Sequence, residues 1–160
     1  AGGEMIHSVG WQKSVYNIPP WKFEAGTQAL AAVYAFGHAL SYIQSLSLAA
    51  IEKYLKELVA YTYKKLKAVP GVTLYGPEPK KRLGLISFSV AGLHAHDLSS
   101  FLNEYHIAIR AGHHCAQVLM RRLNIAAAAR LSFYIYNTED EIDFFMDTLS
   151  RAKGYFSRGL

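Results

Sequence analysis

Residues 131–136 read LSFYIY, and residues 138–141 read TEDE; the prediction of the fold starts from these two segments. The β-branched and aromatic residues of the first part predict a β-strand. In the second part, Thr138 and Glu141 have the spacing of a capping box, and the acidic residues suit the first turn of a helix. We therefore expect a strand followed closely by a helix, whose buried face carries Ile142, Phe145, Met146 and Leu149.

The segments upstream predict the elements that pack around this strand. Apolar residues at helical spacing predict one helix from about Thr27, as its cap, to about Leu46, and a second over residues 48–68. Further strands are expected over residues 72–75, 83–90 and 107–110, and further helices over residues 97–105 and 114–123. This order predicts an α/β (α+β) fold, a two-layer lobe in which helices cover a small, mainly antiparallel sheet.

The first part of the chain differs from the rest in pattern. Residues 1–25 combine Gly, Pro and aromatic residues without helical periodicity, so we expect an extended arm or loop there. Residues 26–160 would then form the lobe. Because the chain starts with Ala1 and has no initiator Met, we also expect that it begins inside a longer one.

The composition excludes several classes of protein. Of 160 residues, 51% are hydrophobic and 18% are charged, which is enough apolar material for a core and excludes disorder. The most apolar run, residues 29–40, is too short to span a bilayer. The net charge of +5 is spread over short basic groups without interleaved aromatic residues, so we expect neither a nucleic-acid nor a membrane partner. The single cysteine predicts a reducing, cytoplasmic location.

The most informative stretch for chemistry is RAGHHCA, residues 110–116. Cys115 follows a glycine turn near a predicted helix start, with Arg110 and two imidazoles close by. These neighbours favour the thiolate, which is the nucleophilic form of cysteine. The alternative is a small buried hydrophobic residue, a common role for a free cysteine.

Two other clusters have both a functional and a plain interpretation. His94, His96, His113, His114 and Cys115 are possible zinc ligands, but their spacing matches no recognised site, and we expect no metal. Otherwise His94 and His96 belong to a polar loop that leads to a helix cap. Arg130 is either a surface charge or a clamp for a carboxylate. Gly26 and Thr27 form either an anion cradle at a helix start or simply a cap.

Three motifs taken together resemble a known family: RAGHHCAQ from Arg110, FEAGT ending at Thr27, and RLSFYIYNT from Arg130. They are similar to the C-terminal portion of cysteine desulfurases of the SUF-system, selenocysteine-lyase-like type. These enzymes belong to the class V aminotransferase group of fold-type I pyridoxal 5′-phosphate (PLP) enzymes. The resemblance covers essentially the whole chain and implies that residues 1–25 are an arm of the large domain. Residues 26–160 would be the C-terminal small domain with its linking helix.

The resemblance also implies roles for individual residues. Cys115 would take sulfur from L-cysteine and carry it as a persulfide, leaving L-alanine. Arg130 would bind the substrate carboxylate, and Arg110 would help to orient the substrate or the cysteine loop. His113 and His114 would line the pocket. Gly26 and Thr27 would bind the PLP phosphate across the interface of a homodimer.

The resemblance also implies groups that lie outside this chain. The lysine that holds PLP precedes the Gly-Gly-Glu stretch in the family, so the missing N-terminal large domain would supply it. The sulfur would pass to an acceptor protein for iron–sulfur cluster assembly. Two alternatives remain: a selenocysteine lyase or cysteine-sulfinate desulfinase of the same fold, and a non-catalytic, stand-alone binding module.

Overall fold

A computed structural model describes residues 2–157, which divide into two units. The first unit ends at Ser47 and the second begins at Leu48. In the part that the structure describes, no helix is long and apolar enough to cross a membrane. The domain boundary expected after residue 25 stays a prediction about the whole protein.

The first unit consists of a hairpin and one long helix. Strands β1 (Ile6–Val9) and β2 (Ser14–Tyr16) pair antiparallel, and a short 3₁₀ turn precedes helix α1 (Leu30–Ser45). Among residues 2–47 none is buried, so this unit has no core of its own. The exposed apolar side chains of the hairpin and of α1 include Trp11, Leu30, Val33, Tyr34 and Phe36.

The predicted cap of the first helix is wrong. The N-cap of α1 is Ala29, with no side-chain hydrogen bond, and the helix begins three residues after Thr27. The reason lies in the preceding loop, where Gly26 donates its N–H to the Gly2 carbonyl at 3.1 Å and pairs with Gly3 in a parallel bridge. These contacts hold the backbone before Thr27 outside the helical conformation.

The second unit is built around one antiparallel sheet. Its elements are α2 (Leu48–Lys67), β3 (Val72–Tyr75), β4 (Leu85–Val90), α3 (Ala95–Asn103), β5 (Arg110–Gly112), α4 (Gln117–Leu123), β6 (Ala128–Ser132) and α5 (Glu139–Ser157). The strand order is β3-β4-β6-β5, and all neighbouring pairs are antiparallel. This arrangement confirms the predicted class, a small antiparallel sheet covered by helices.

The two faces of the sheet differ in burial. Along β4, Ile86, Phe88 and Val90 are buried, whereas the alternate residues are half-buried or exposed, as expected for a sheet with helices on one face only. Helices α2, α3 and α5 supply the other side of the core. Their fully buried side chains include Val59, Leu66, Leu98, Leu102 and Leu149.

Strand boundaries beside the site differ from the prediction. β6 covers residues 128–132 instead of 131–136, because Tyr134 donates its N–H to the Asn137 side chain at 2.9 Å and the chain turns there. β5 covers residues 110–112 instead of 107–110. α4 begins at Gln117 instead of about His114, because a turn occupies the intervening residues.

The start of α5 agrees with the sequence, whereas α3 begins at Ala95 instead of Asp97 and ends at Asn103 instead of Tyr105. Thr138 and Glu141 form the reciprocal capping box at the start of α5, with N···O distances of 3.0 Å and 3.3 Å. His94 caps α3, because its side chain accepts a hydrogen bond from the His96 N–H. The interpretation of His94 as part of a helix cap is therefore confirmed.

Candidate active site

Cys115 lies at the tip of a tight turn between β5 and α4. The Ala116 N–H donates to the His113 carbonyl at 2.9 Å, which closes the turn. Its two central residues, His114 and Cys115, both have positive φ, at 54° and 59°. Such a conformation is uncommon for a residue with a side chain and costs on the order of 1 kcal/mol each. The turn presents the Cys115 side chain to solvent, so the alternative of a small buried hydrophobic residue is wrong.

Arg110 is the charged neighbour of the thiol. Its Nη2 lies 3.8 Å from Cys115 Sγ, although the two residues are five positions apart. A guanidinium at this distance stabilises negative charge on sulfur. Arg110 and Cys115 line a groove together with His113, His114 and Gln117. The structure therefore brings together four candidate site residues from the sequence: Arg110, His113, His114 and Cys115.

Arg130 lies on the neighbouring strand directly opposite Arg110. The register of β5 and β6 pairs these two residues, and Ser87 of β4 is the next partner in the row. Two like charges in direct cross-strand register repel each other unless an anion lies between or beside them. Arg130 Nε is buried and has no hydrogen-bond partner. A buried donor left unpaired is costly, so the row has the character of an incomplete anion site.

His114 connects the cysteine turn to the sheet. Its Nε2 lies 3.0 Å from the Ala128 carbonyl and donates to it, since a carbonyl oxygen can only accept. Burial of the half-buried ring lowers the pKa of His114; the Ala128 hydrogen bond opposes this shift, and the charges of Arg130 and Arg110 add to it. The ring is therefore neutral near pH 7, and its buried Nδ1 is an acceptor without a partner.

The candidate metal ligands do not converge. Among residues 2–157 no group of three or more His, Cys, Asp or Glu side chains has a geometry that could hold a metal ion. The rings of His94 and His96 instead stack on each other, with centroids 5.4 Å apart.

Gly26 and Thr27 lie in the first unit, in the loop before α1. Gly26 has φ 82°, a backbone conformation that favours glycine. Thr27 is exposed and, as described above, does not cap the helix.

Sequence reasoning missed two groups beside the site, the Ala128 carbonyl and Ser87. No sequence motif could have revealed either one, because both come to the site through strand register alone.

The family of the chain follows from comparison with known sequences. The profile of the family described as aminotransferase class-V matches residues 1–145. The chain belongs to this family. Among curated relatives, a probable cysteine desulfurase from Halobacterium salinarum is 44% identical over 156 residues, covering 98% of this chain. A probable cysteine desulfurase from Staphylococcus aureus is 40% identical over 156 residues.

Solved structures of the family have the same fold. The apo cysteine desulfurase from Thermococcus onnurineus superposes with a TM-score of 0.85 at 35% identity, covering 96% of this chain and 39% of that one. The cysteine desulfurase CsdA from Escherichia coli, in an S-sulfonic acid form, gives 0.87 at 32% identity, covering 97% and 38%. The chain likewise spans only 38% of the length of the Halobacterium relative. It therefore corresponds to a portion of such an enzyme.

Proposed function

We propose that this chain is the C-terminal part of a PLP-dependent cysteine desulfurase, with Cys115 as the residue that accepts sulfur. The single observation that carries the proposal is the exposed Cys115 thiol held 3.8 Å from the Arg110 guanidinium. The similarity to cysteine desulfurases over nearly the whole chain supports it.

Sulfur transfer needs a nucleophile that can reach the substrate. The Cys115 thiolate attacks the sulfur of L-cysteine, and an S–S bond forms while the substrate Cβ–S bond breaks. The electron pair of the broken bond stays with carbon, which takes up a proton to give L-alanine. The substrate sulfur is thereby oxidised and the substrate carbon reduced, so no external oxidant is needed.

The two arginines that pair across β5 and β6, Arg110 and Arg130, form the substrate-binding part of the site. Arg130 binds the carboxylate of L-cysteine, because a guanidinium matches a carboxylate with two parallel hydrogen bonds. The unpartnered Arg130 Nε supports this assignment. Arg110 keeps the thiolate and the persulfide charge stabilised, while His113 and His114 border the groove.

PLP is the cofactor that the family implies. When bound, it supplies the electron sink for breaking the bond to sulfur. Two features of this chain fit its phosphate: the exposed Thr27 hydroxyl, and the N–H groups of Ala31 and Ala32 in the first turn of α1, which have no acceptor within the helix. The Leu30 N–H, in contrast, donates to the Gln28 carbonyl at 2.8 Å. Gly26 and Thr27 would hold the phosphate of the partner subunit in a homodimer, and the lysine would come from the large domain.

The exposed position of Cys115 also suits delivery of sulfur to another protein. We propose an acceptor protein and iron–sulfur cluster assembly as the destination. A reducing cytoplasm is consistent with the single cysteine.

The test uses the complete polypeptide that carries this chain, loaded with PLP. With L-cysteine and a reductant, the wild type should release alanine, and without reductant Cys115 should gain the mass of one sulfur atom. Cys115→Ser should abolish both. Selenocysteine is the matched control, because selenium leaves carbon more readily, and alanine release from it should survive in the variant. Full alanine release from L-cysteine by Cys115→Ser would overturn the proposal. A wild type that prefers selenocysteine or cysteine sulfinate would favour the alternative enzyme.

A further inference from the structure

The turn that carries Cys115 is strained, so something must hold it. Two consecutive residues with side chains, His114 and Cys115, have positive φ. One backbone hydrogen bond, from Ala116 to His113, closes the turn. On its own, one such bond contributes about as much as the strain of one of the two residues costs.

The ring of His114 gives the turn further support, in addition to the contact between Arg110 and Cys115. Its Nε2 donates to the carbonyl of Ala128, which lies opposite Gly112 at the point where β5 ends. The chain therefore leaves the sheet at Gly112, opposite Ala128, and the side chain two residues later, His114, forms a hydrogen bond with that same Ala128. This bond links the turn to β6, the strand that also carries Arg130.

Arg110 and Cys115 are held in place by different means. Arg110 is fixed by strand pairing, whereas Cys115 belongs to no helix or strand. Without the His114 ring, the turn could relax to ordinary negative φ values, and Cys115 Sγ would leave the guanidinium.

We propose that His114 is a positioning residue: its Nε2–H bond to Ala128 holds the strained turn in the conformation that keeps Cys115 beside Arg110. The effect of His114 on sulfur transfer rests on the proposed function, whereas its effect on the position of Cys115 does not. The bond itself is independent of any bound group.

The test compares variants of His114 that either keep the hydrogen bond to Ala128 or tolerate the positive φ of the backbone. In His114→Gln, the amide nitrogen can occupy the place of Nε2 and donate to Ala128. In His114→Asn, the side chain tolerates positive φ better but its nitrogen falls short, at the place of Nδ1. His114→Ala supplies neither feature. His106→Asn is the control, because His106 also has positive φ (59°) but lies in another turn.

The readout is the rate at which iodoacetamide labels Cys115 near neutral pH, quantified by peptide mass spectrometry in the complete polypeptide. We expect His114→Ala and His114→Asn to label about fivefold more slowly, a change that corresponds to one net hydrogen bond. His114→Gln and His106→Asn should label at the wild-type rate. Wild-type labelling in His114→Ala, or rescue by Asn but not by Gln, would overturn the proposal.

A second readout separates this proposal from the proposed function. In the PLP-loaded enzyme, the rate of persulfide formation on Cys115 should follow the same order of variants. If the wild type formed no persulfide while the labelling order held, the proposed function would fail and the positioning role of His114 would stand.

Discussion

Arg110 of β5 and Arg130 of β6 are direct cross-strand partners, and the thiol of Cys115 lies 3.8 Å from the first of them. Two guanidinium groups in adjacent positions on a sheet repel each other, so their pairing indicates a site for anionic groups. A substrate with a carboxylate and a protein thiolate would together supply two negative charges there. Under the proposed function, the arrangement would link substrate binding at Arg130 to the position of Cys115.

Substitution of Arg130 should weaken binding of L-cysteine. Arg130→Gln removes the charge, and Arg130→Lys keeps it but loses the paired donors, so we expect kcat/KM to fall by on the order of 10- to 100-fold in the first and less in the second. The measurement is the steady-state rate of alanine release by the complete, PLP-loaded enzyme. Arg151→Lys is the control, because Arg151 lies on α5 over the ring of Tyr105. An unchanged KM in Arg130→Gln would contradict the carboxylate role.

The pH dependence of stability should report the neutral state of His114. Because burial lowers its folded pKa below the unfolded value of about 6.5, the unfolded state binds more protons in acid. The stabilising contribution is therefore fully present above about pH 6.5 and is lost as the pH falls through the lower folded pKa. We expect the difference in unfolding free energy between the wild type and His114→Gln to favour the wild type less at about pH 5 than at about pH 8.

Urea unfolding at both pH values measures that difference. His114→Gln serves as the reference for the wild type, because glutamine does not titrate and the two proteins share all other titratable groups. A difference that stays constant between the two pH values would show that His114 titrates equally in the folded and unfolded states.

The capping box of α5 should contribute measurably to stability. Thr138→Ala removes the hydroxyl that accepts the Glu141 N–H, and we expect a loss of about 1 kcal/mol in the free energy of unfolding. Thr138→Ser retains the hydroxyl and should remain close to the wild type. Equal stability of the Ala and Ser variants would mean that solvent replaces this bond at no cost.

The contact between Gly3 and Gly26 gives a test of the proposal that Gly26 and Thr27 hold the PLP phosphate. In Gly3→Ala, the added Cβ would lie 2.7 Å from the Gly26 carbonyl oxygen, at a φ of +58°, so the loop must shift. We expect PLP binding to weaken by about tenfold, measured by absorbance titration of the complete polypeptide. Gly2→Ala is the matched control, because its added Cβ would contact nothing within 4 Å. Equal affinity in both variants would argue against a role for Gly26 in binding the phosphate.

Much of the fold could be predicted because local patterns specify it. The apolar stripe of α2 and the Thr138–Glu141 capping box gave helices close to the observed bounds. The strands beside the site were misplaced, because the aromatic residues after Ser132 resemble a strand although Asn137 turns the chain there. Ala128 and Ala129, each 1% exposed, lie in β6 although their type does not favour a strand. Burial on the sheet decided their conformation, and no local pattern shows it.

The class of the fold, the family resemblance and the candidate nucleophile follow from the residues alone, because periodicity, capping residues and the RAGHHC motif are local. Three relationships become visible only in the folded chain: Arg110 pairs with Arg130 across the strands, Arg110 contacts Cys115, and His114 is hydrogen-bonded to Ala128. Those relationships depend on strand register and on a turn with positive φ. Both are set by which backbone groups find partners once the sheet has formed, so the residue types alone do not specify them.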